Sequence, residues 1–375
     1  MKYDYLIVGA GLAGSVLAER IATILQKNVL VIDRRNHIGG NCFDYQNEFA
    51  ITIQKYGPHI FHTNSKKIWD YILQFTDWHH YFHKVLALID GELVPIPFNI
   101  NSLYQLFSPN YAKKIEKKLL ENYQFGSKIP IFNLLQSNDN DLKLLADYIY
   151  QNVFLGYNLK QWGIKPEELD PSVANRVPIL LNRDNRYFQD KYQGIPAEGY
   201  TKIFERMLDN PNIELQLNTD CKDVINITQY DNLIYTGAID EFFDYEYGEL
   251  PYRSLKFVNK NLNIKQYQTC AIINYPNNYD FTRITEYKHF LDEESNSTTI
   301  SIEYPEVFER GKNERYYPIP KEENQNIYEK YINKAKPLQN IRFIGRLAQY
   351  RYYNMDQVIG EALKEFEKIQ QELKI

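Results

Sequence analysis

The stretch Tyr5-Leu6-Ile7-Val8-Gly9-Ala10-Gly11-Leu12-Ala13-Gly14 decides the fold of this 375-residue chain. A short apolar run enters a GxGxxG pattern, and apolar residues then recur at helical spacing from Leu12 to Leu25. A second apolar run, Val29 to Ile32, follows directly. A strand, a helix and a strand in this order form a crossover between parallel strands. The opening residues therefore predict a doubly wound α/β domain.

The spacing of the glycines and of the next acidic residue indicates a dinucleotide site. Gly9 allows a tight turn, Gly11 lets the backbone approach a pyrophosphate, and Gly14 lets the helix pack closely. Asp33 ends the second strand, 19 residues after Gly14, where it would accept hydrogen bonds from ribose hydroxyls. The positive end of the helix favours phosphate. We therefore expect this turn to bind a dinucleotide.

Beyond the first strands the sequence changes in character twice. The Lys-, Leu- and Tyr-rich segments Tyr111 to Tyr123 and Leu142 to Tyr157 predict a mostly helical insertion. The short runs Thr269 to Ile273, Thr282 to Tyr287 and Thr298 to Ile302 are separated by Asn, Asp and Pro clusters. These runs predict an antiparallel sheet.

One nucleotide-binding domain interrupted by two insertions accounts for this order, because strands that end in glycine return at 232–237 and 341–345. The predicted fold class is α/β, a Rossmann-like dinucleotide-binding domain with a helical insertion and an antiparallel β-sheet domain. The predicted boundaries are 1–80, 200–240 and 325–375 for the discontinuous dinucleotide-binding domain, 100–172 for the helical domain, and 81–99, 173–199 and 241–324 for the antiparallel substrate domain.

Composition narrows the possible functions. A net charge of −5 gives no overall attraction for nucleic acid, and no apolar run approaches the roughly 18 residues of a membrane span. The start of the sequence lacks an export leader, so we expect a cytoplasmic protein. Cys42, Cys221 and Cys270 are too scattered to indicate disulfides or zinc. The 32 tyrosines suit a pocket for sugars and nucleobases.

The segment Asp33 to Asn41 resembles the acid-to-diglycine run of FAD enzymes related to amine oxidases. Gly345-Arg346 and the helix start from Met355 to Val358 resemble their distant second flavin segment, where a helix N-terminus faces the flavin. The resemblance implies FAD as cofactor, so the predicted Rossmann-like domain is an FAD-binding domain. It assigns cofactor contacts to Gly9, Gly11, Ala13, Gly14, Asp33, Arg34, Gly40, Asn41, His59, Ile60, Gly345, Arg346, Met355, Asp356, Gln357 and Val358.

Four further stretches resemble the bacterial UDP-galactopyranose mutases: Tyr56 to Asn64, Gly156 to Gly163, Asn185 to Pro196 and Tyr252 to Phe257. The similarity runs from Tyr3 to about Leu363. It implies an isomerase, a homodimer that supplies galactofuranose for bacterial surface polysaccharide. In this family N5 of reduced FAD attacks the anomeric carbon of UDP-galactopyranose and displaces UDP. The flavin-linked sugar then opens and recloses as the furanose, and UDP returns.

The resemblance also implies roles for individual residues. Arg176 and Arg283 match two arginines that clamp the UDP diphosphate, a task that suits the planar guanidinium. Tyr157 and Trp162 match positions that line the uridine pocket, where an aromatic face stacks on the base. The other positions that match substrate contacts are Lys84, Tyr187, Arg253, Glu303, Tyr317 and Tyr352.

His59 and His62 match histidines that bracket the flavin, and with the two arginines they complete the predicted catalytic set. Their spacing of three would put both on one face of a helix, where zinc could bind, but no third ligand motif accompanies them and we predict no metal. Asn354 stands where the family usually has aspartate. It leaves UDP-N-acetylgalactosamine open as the substrate. An amine-oxidase-like FAD oxidoreductase and a non-catalytic FAD-binding protein also stay open as functions.

Overall fold

A computed structural model of the chain describes residues 2–169, 177–319 and 321–373. The contacts within the chain divide it into two units. The first unit contains Met1–Tyr81, Asp190–Tyr252 and Tyr317–Ile375, and the second contains Phe82–Gln189 and Arg253–Tyr316. Each unit has its own sheet.

The strands are short except for two in the second unit. In chain order they are β1 (Lys2–Val8), β2 (Val29–Ile32), β3 (Asp44–Gln46), β4 (Thr52–Gln54), β5 (Phe61–Thr63), β6 (Trp78–His79), β7 (Val85–Ile89), β8 (Glu92–Ile96), β9 (Lys128–Ile129), β10 (Ile179–Leu180), β11 (Tyr192–Pro196), β12 (Ile213–Gln216), β13 (Gln229–Tyr235), β14 (Tyr252–Leu262), β15 (Ile272–Asn274), β16 (Arg283–Glu286), β17 (Thr298–Val307), β18 (Tyr317–Pro318) and β19 (Ile341–Phe343).

The helices are α1 (Leu12–Ile24), α2 (Lys66–Ile72), α3 (Ile100–Leu106), α4 (Pro109–Asn122), α5 (Ile131–Leu135), α6 (Asn140–Ile149), α7 (Gly156–Trp162), α8 (Tyr200–Leu208), α9 (Cys221–Val224), α10 (Ile239–Phe242), α11 (Glu322–Ala335) and α12 (Met355–Glu372). A π-helical turn, Tyr150–Leu155, joins α6 to α7. Among the described residues, no helix has both the length and the apolar character that a bilayer crossing requires.

The first unit contains a parallel sheet with the strand order β12-β2-β1-β13-β19. Side chains alternate along β1, so that Tyr5 and Ile7 join one apolar core while Leu6 joins another on the opposite face. Helices α1, α8 and α12 supply the first of these cores. This arrangement confirms the predicted doubly wound α/β domain.

The second unit contains a sheet in which six strands follow the order β14-β17-β16-β15-β7-β8. The strands β14 and β17 form a long antiparallel ladder from Arg253↔Val307 to Leu262↔Thr298. All neighbouring pairs are antiparallel except β15 and β7, which run parallel. The structure therefore confirms the predicted sheet, with one parallel pair that the sequence did not indicate.

The same unit contains the predicted helical insertion. Helices α3 to α6 enclose an apolar core, and Ser102 Oγ donates to the Pro95 carbonyl at 2.8 Å, which ties α3 to β8. The helical and antiparallel segments thus share one unit, whereas the sequence predicted two domains. Segment 190–199 also differs from the prediction, because β11 pairs with β5 and β6 of the first unit.

Candidate active site

The glycine turn leaves bare backbone where a diphosphate would lie. Gly9 has φ +105°, and a Cβ at Gly14 would lie 1.9 Å from the Gly9 oxygen. Gly11 is the N-cap of α1 and has no side chain to cover the first N–H groups of the helix. A Cβ at Gly40 would lie 3.0 Å from Gly11 Cα, so the two backbones approach each other. These residues fit a dinucleotide.

Asp33 connects the second strand to this turn. Its Oδ2 accepts from the backbone N–H of Ala10 and its Oδ1 from that of Arg35, both at 2.9 Å. Each carboxylate oxygen keeps further acceptor capacity for a ribose hydroxyl. Arg34 lies outward, 46% exposed and 3.7 Å from Glu241. Arg35 was not among the predicted residues; its guanidinium donates to Asn41 Oδ1 at 3.0 Å and so orients that predicted cofactor residue.

The distant C-terminal segment reaches the diglycine segment inside the same unit. Cys42 Sγ lies 3.7 Å from Met355 Sδ at the start of α12, and a Cβ at Gly345 would lie 3.1 Å from Ala13 Cβ. Asn354 forms a capping box with Gln357. Asparagine and aspartate serve almost equally well as N-caps. Asn354 therefore keeps the local helix geometry and removes only a charge.

Two predicted substrate tyrosines form a pair in the first unit. The rings of Tyr317 and Tyr352 meet edge to face with centroids 5.1 Å apart, and the Arg346 guanidinium lies 5.8 Å from the centre of the Tyr317 ring. The pair brings a predicted cofactor residue against a predicted substrate residue.

Neither His59 nor His62 lies on a helix, so the two histidines do not share the helical face on which zinc was considered. His62 lies in β5, and its Nδ1 is 3.0 Å from Asp190 Oδ2. Asn64 Nδ2 donates to the other carboxylate oxygen at 2.7 Å. His59 Nδ1 lies 2.8 Å from the Gly57 carbonyl oxygen. Asp190 is a second residue that the sequence analysis missed, since 128 positions separate it from His62.

In the second unit, α7 carries the two predicted base-binding aromatics. Trp162 is 6% exposed and Tyr157 is half-buried. Arg253, predicted as a substrate contact, donates through Nε to the Gln161 carbonyl at 2.9 Å and through a terminal nitrogen to the Lys160 carbonyl at 3.0 Å. A cation at the last carbonyls of a helix stabilises its C-terminus. Arg253 therefore positions Trp162.

Arg283 and Glu303 face each other on the neighbouring strands β16 and β17. Arg283 Nε lies 2.8 Å from Glu303 Oε2, and Thr282 Oγ1 donates to Oε1 at 2.9 Å. The Glu303 residue is 1% exposed and the Arg283 side chain 21%. A buried carboxylate thus holds the plane of a partly exposed guanidinium, which is the arrangement an arginine needs to bind phosphate oxygens.

The remaining predicted substrate residues of this unit lie near its sheet. Lys84 is exposed and directly precedes β7. The Tyr187 backbone N–H donates to the His83 carbonyl at 2.7 Å, and the two rings are 5.6 Å apart. Arg176 lies outside the described residues, so its predicted partnership with Arg283 stays a prediction.

Comparison with known proteins identifies the family. A family model described as UDP-galactopyranose mutase matches residues 152–352. The chain is 36% identical to a probable UDP-galactopyranose mutase of Klebsiella pneumoniae, over 96% of this chain and 93% of that protein. The chain belongs to the UDP-galactopyranose mutase family. It is also 36% identical to a dTDP-fucopyranose mutase of Escherichia coli, over 96% of each protein.

Two further matches agree with the architecture. A model described as a NAD(P)-binding Rossmann-like domain covers residues 7–75, which include the glycine turn. A crystal structure of reduced UDP-galactopyranose mutase aligns with a TM-score of 0.73 at 16% identity, over 99% of this chain and 94% of that one, and shows the shared fold. Family membership makes the chain an isomerase. With the Rossmann-like match it also confirms the predicted cofactor, FAD.

Proposed function

We propose that this enzyme interconverts UDP-galactopyranose and UDP-galactofuranose. One observation supports the proposal beyond family membership: the partly exposed Arg283 is oriented by the buried Glu303 at 2.8 Å. A diphosphate leaving group needs a fixed, permanently charged partner, and arginine supplies one. The family resemblance makes Arg176 the second arginine of this clamp.

The proposed chemistry divides between the cofactor and the chain. The backbone at Gly9, Gly11 and Gly40 would hold the diphosphate of FAD, and FAD in its reduced form would supply N5 as a nucleophile for the anomeric carbon of the sugar, with UDP as the leaving group. Arg283 neutralises the departing diphosphate, while Tyr157 and Trp162 hold the base. His62 is the proposed proton-transferring residue beside the cofactor, with its Nδ1 fixed by Asp190 at 3.0 Å. His59 completes the proposed catalytic set.

A second candidate substrate is dTDP-fucopyranose, because the Escherichia coli relative named for that substrate is as similar as the mutase named for UDP-galactopyranose. The third, UDP-N-acetylgalactosamine, rests on Asn354, which removes a charge while it preserves the helix cap. All three candidate substrates would undergo the same interconversion between the pyranose and furanose ring forms. An amine-oxidase-like reaction is disfavoured, since the chain belongs to a family of isomerases.

The test is an assay of the FAD-loaded protein after reduction with dithionite. UDP-galactofuranose, UDP-N-acetylgalactosamine and the two ring forms of dTDP-fucose are incubated separately, and products are separated by chromatography. We expect conversion of UDP-galactofuranose to the pyranose, and none by the oxidised protein. Turnover that is greatest with a dTDP-sugar would assign the second candidate. Absence of turnover with every reduced sample would overturn the proposal, as would equal turnover by oxidised protein.

We further propose that the enzyme is a cytoplasmic homodimer that supplies galactofuranose for surface polysaccharide. The support is the family resemblance. Size-exclusion chromatography with light scattering tests the dimer, and a deletion strain that keeps its galactofuranose would contradict the biosynthetic role.

A further inference from the structure

The Lys160 ammonium is enclosed by three backbone carbonyls of one turn. Its Nζ donates to the carbonyl oxygen of Tyr275, to that of Tyr279 at 3.1 Å and to that of Phe281 at 2.9 Å. An ammonium has three donors, and this turn supplies one acceptor for each. The lysine therefore holds both ends of the turn 275–281 to one point on α7.

Two other contacts join the same face of the helix to the same turn. Asn277 Nδ2 donates to the Asn152 carbonyl at 2.9 Å in the π-helical turn. A Cβ at Gly156 would lie 2.4 Å from the Pro276 oxygen, so only glycine allows this approach. Positions 152, 156 and 160 are four residues apart and form one stripe along the helix. The helical segment is thus docked on the turn along its whole length.

The docked elements carry the residues that we propose for nucleotide binding. Tyr157 and Trp162 belong to α7, and the turn leads within two residues into Arg283 at the start of β16. Thr282, between the turn and Arg283, donates to Glu303 Oε1 at 2.9 Å. The distance between the aromatic pair and the arginine therefore depends on how the turn is fixed to the helix.

We propose that Lys160 is a positioning residue for the nucleotide: it sets the separation between the base-binding aromatics of α7 and the diphosphate-binding Arg283. This inference rests on the proposed function, because it takes the substrate to be a nucleoside diphosphate sugar. A base and a diphosphate are covalently linked in that substrate. Two subsites that are held at the matching separation bind the linked ligand far more tightly than either subsite binds its own part of the ligand.

The charge on Lys160 also lowers the stability of the fold. Lys160 is half-buried, and burial lowers the pKa of its ammonium to about 8, against the attraction of Asp280. A basic side chain whose pKa is lower in the folded than in the unfolded state destabilises the fold while it is charged. The stability of the protein should therefore rise with pH from about 8 to the ordinary lysine pKa of 10.5. An unbranched apolar side chain would fill the same space without this charge, but it would withdraw the donor from the three carbonyls and so release the turn.

The experiment compares Lys160→Met with wild type as FAD-loaded holoenzymes. Calorimetry measures the affinity for uridine and for UDP, and thermal unfolding reports the stability. We expect uridine binding to stay within about twofold while UDP binding weakens about tenfold, because only the linked ligand depends on the separation. In the mutase assay KM should rise and kcat should change less. The control is Lys117→Met, a 79% exposed lysine of the same unit.

Asn277→Ala is the second variant, because it removes an independent contact between the same turn and the helical segment. It should weaken UDP binding in the same selective way, by a smaller factor. If both variants bind UDP as wild type does, or lose uridine and UDP affinity by equal factors, Lys160 does not set the separation. Wild-type protein that binds no UDP and turns over no nucleotide sugar would instead refute the proposed function.

Discussion

In the first unit, the glycine turn and its acid lie within the first 33 residues, whereas in the second unit the proposed substrate residues and their helix are held by partners 20 to 121 positions away. The cofactor turn works through bare backbone, which glycines specify locally. Arg283, Arg253 and α7 are oriented by side chains and carbonyls that only folding brings near. A change in the glycine turn therefore acts on the turn itself, whereas a change at the substrate residues of the second unit acts through a partner.

The largest effect should come from Gly14→Ala. The new Cβ would lie 1.9 Å from the Gly9 oxygen, and backbone cannot move away cheaply. Overpacking of this kind costs about 3 kcal/mol or more. We expect the purified variant to lack visible flavin absorbance and to unfold at a lower temperature.

Gly11→Ala sharpens this test. Its Cβ would meet Gly40 Cα at 3.7 Å, an ordinary contact, so the fold should keep its stability while the methyl group crowds the diphosphate. FAD binding should therefore weaken without a large change in melting temperature. Stoichiometric FAD in Gly14→Ala would show that the turn does not depend on this close packing.

The next effect concerns the buried partner of Arg283. Arg283→Met leaves the Glu303 carboxylate without its guanidinium, which should destabilise the protein by about 3–5 kcal/mol, since a buried charge loses its partner. UDP affinity should also fall roughly tenfold to a hundredfold, because charge-assisted hydrogen bonds to phosphate are lost. Urea unfolding and calorimetry measure the two effects.

The double variant Arg283→Met with Glu303→Gln separates stability from binding. It removes both charges, so the urea midpoint should recover most of its loss while UDP affinity stays low. If UDP affinity recovered with stability, Arg283 would have no direct role in binding the diphosphate.

A smaller effect is expected from Asp190→Asn. An amide has only one acceptor oxygen, so it cannot accept from both Asn64 Nδ2 and the His62 Nδ1–H as the carboxylate does. If the oxygen stays with Asn64, the NH2 group faces Nδ1 and the imidazole loses its preferred tautomer and orientation. We expect kcat of the reduced enzyme to fall by at least about tenfold, with KM for the nucleotide sugar unchanged. Asp70→Asn, at a half-exposed surface pair with Lys66, is the control. An equal loss in both variants would exclude a specific role for Asp190.

The smallest effect on activity should come from Glu286→Gln, whose consequence lies in acid stability. Burial alone would raise the pKa of Glu286, but hydrogen bonds from His289, Thr298 and two backbone N–H groups lower it to about 2. The folded pKa is depressed, so this carboxylate stabilises the fold above pH 4.5 and the contribution fades as pH falls toward 2.

Urea midpoints of wild type and Glu286→Gln should therefore differ more at pH 7 than at pH 3, with mutase kinetics at pH 7 close to wild type. A difference that stays constant between the two pH values would show that the carboxylate charge contributes nothing. The residue lies in β16, beyond Arg283, and so tests whether the second unit depends on partners throughout.

Part of the fold and of the site could be predicted from residues that are close in sequence. Hydrophobic periodicity within short stretches of sequence predicts the strand, helix and strand around Gly9 and the strands β15 to β17. The π-helical turn Tyr150–Leu155 could not be predicted this way, since the same apolar pattern predicts a continuous helix. A spacing of three would put the two histidines on one face of a helix, yet the pairing of β5 with β11 places His62 in a strand.

The residues that the sequence analysis missed share one property. Arg35, Lys160 and Asp190 act on other residues, as partners of Asn41, of a turn and of His62. Nothing in a lysine or an aspartate distinguishes such a position from a solvated surface position. Burial and geometry supply the distinction, and both follow from folding.

The sequence by itself determined that this protein has a dinucleotide turn, a Rossmann-like sheet and the motifs of a mutase family, because glycine geometry and hydrophobic period are local properties. Only the tertiary structure decided that Glu303 orients Arg283, that Arg253 caps α7, and that Lys160 fixes the turn before β16. The physical reason is that these are hydrogen bonds of buried or half-buried groups between distant segments. Such bonds exist only when the packing of both segments brings donor and acceptor together.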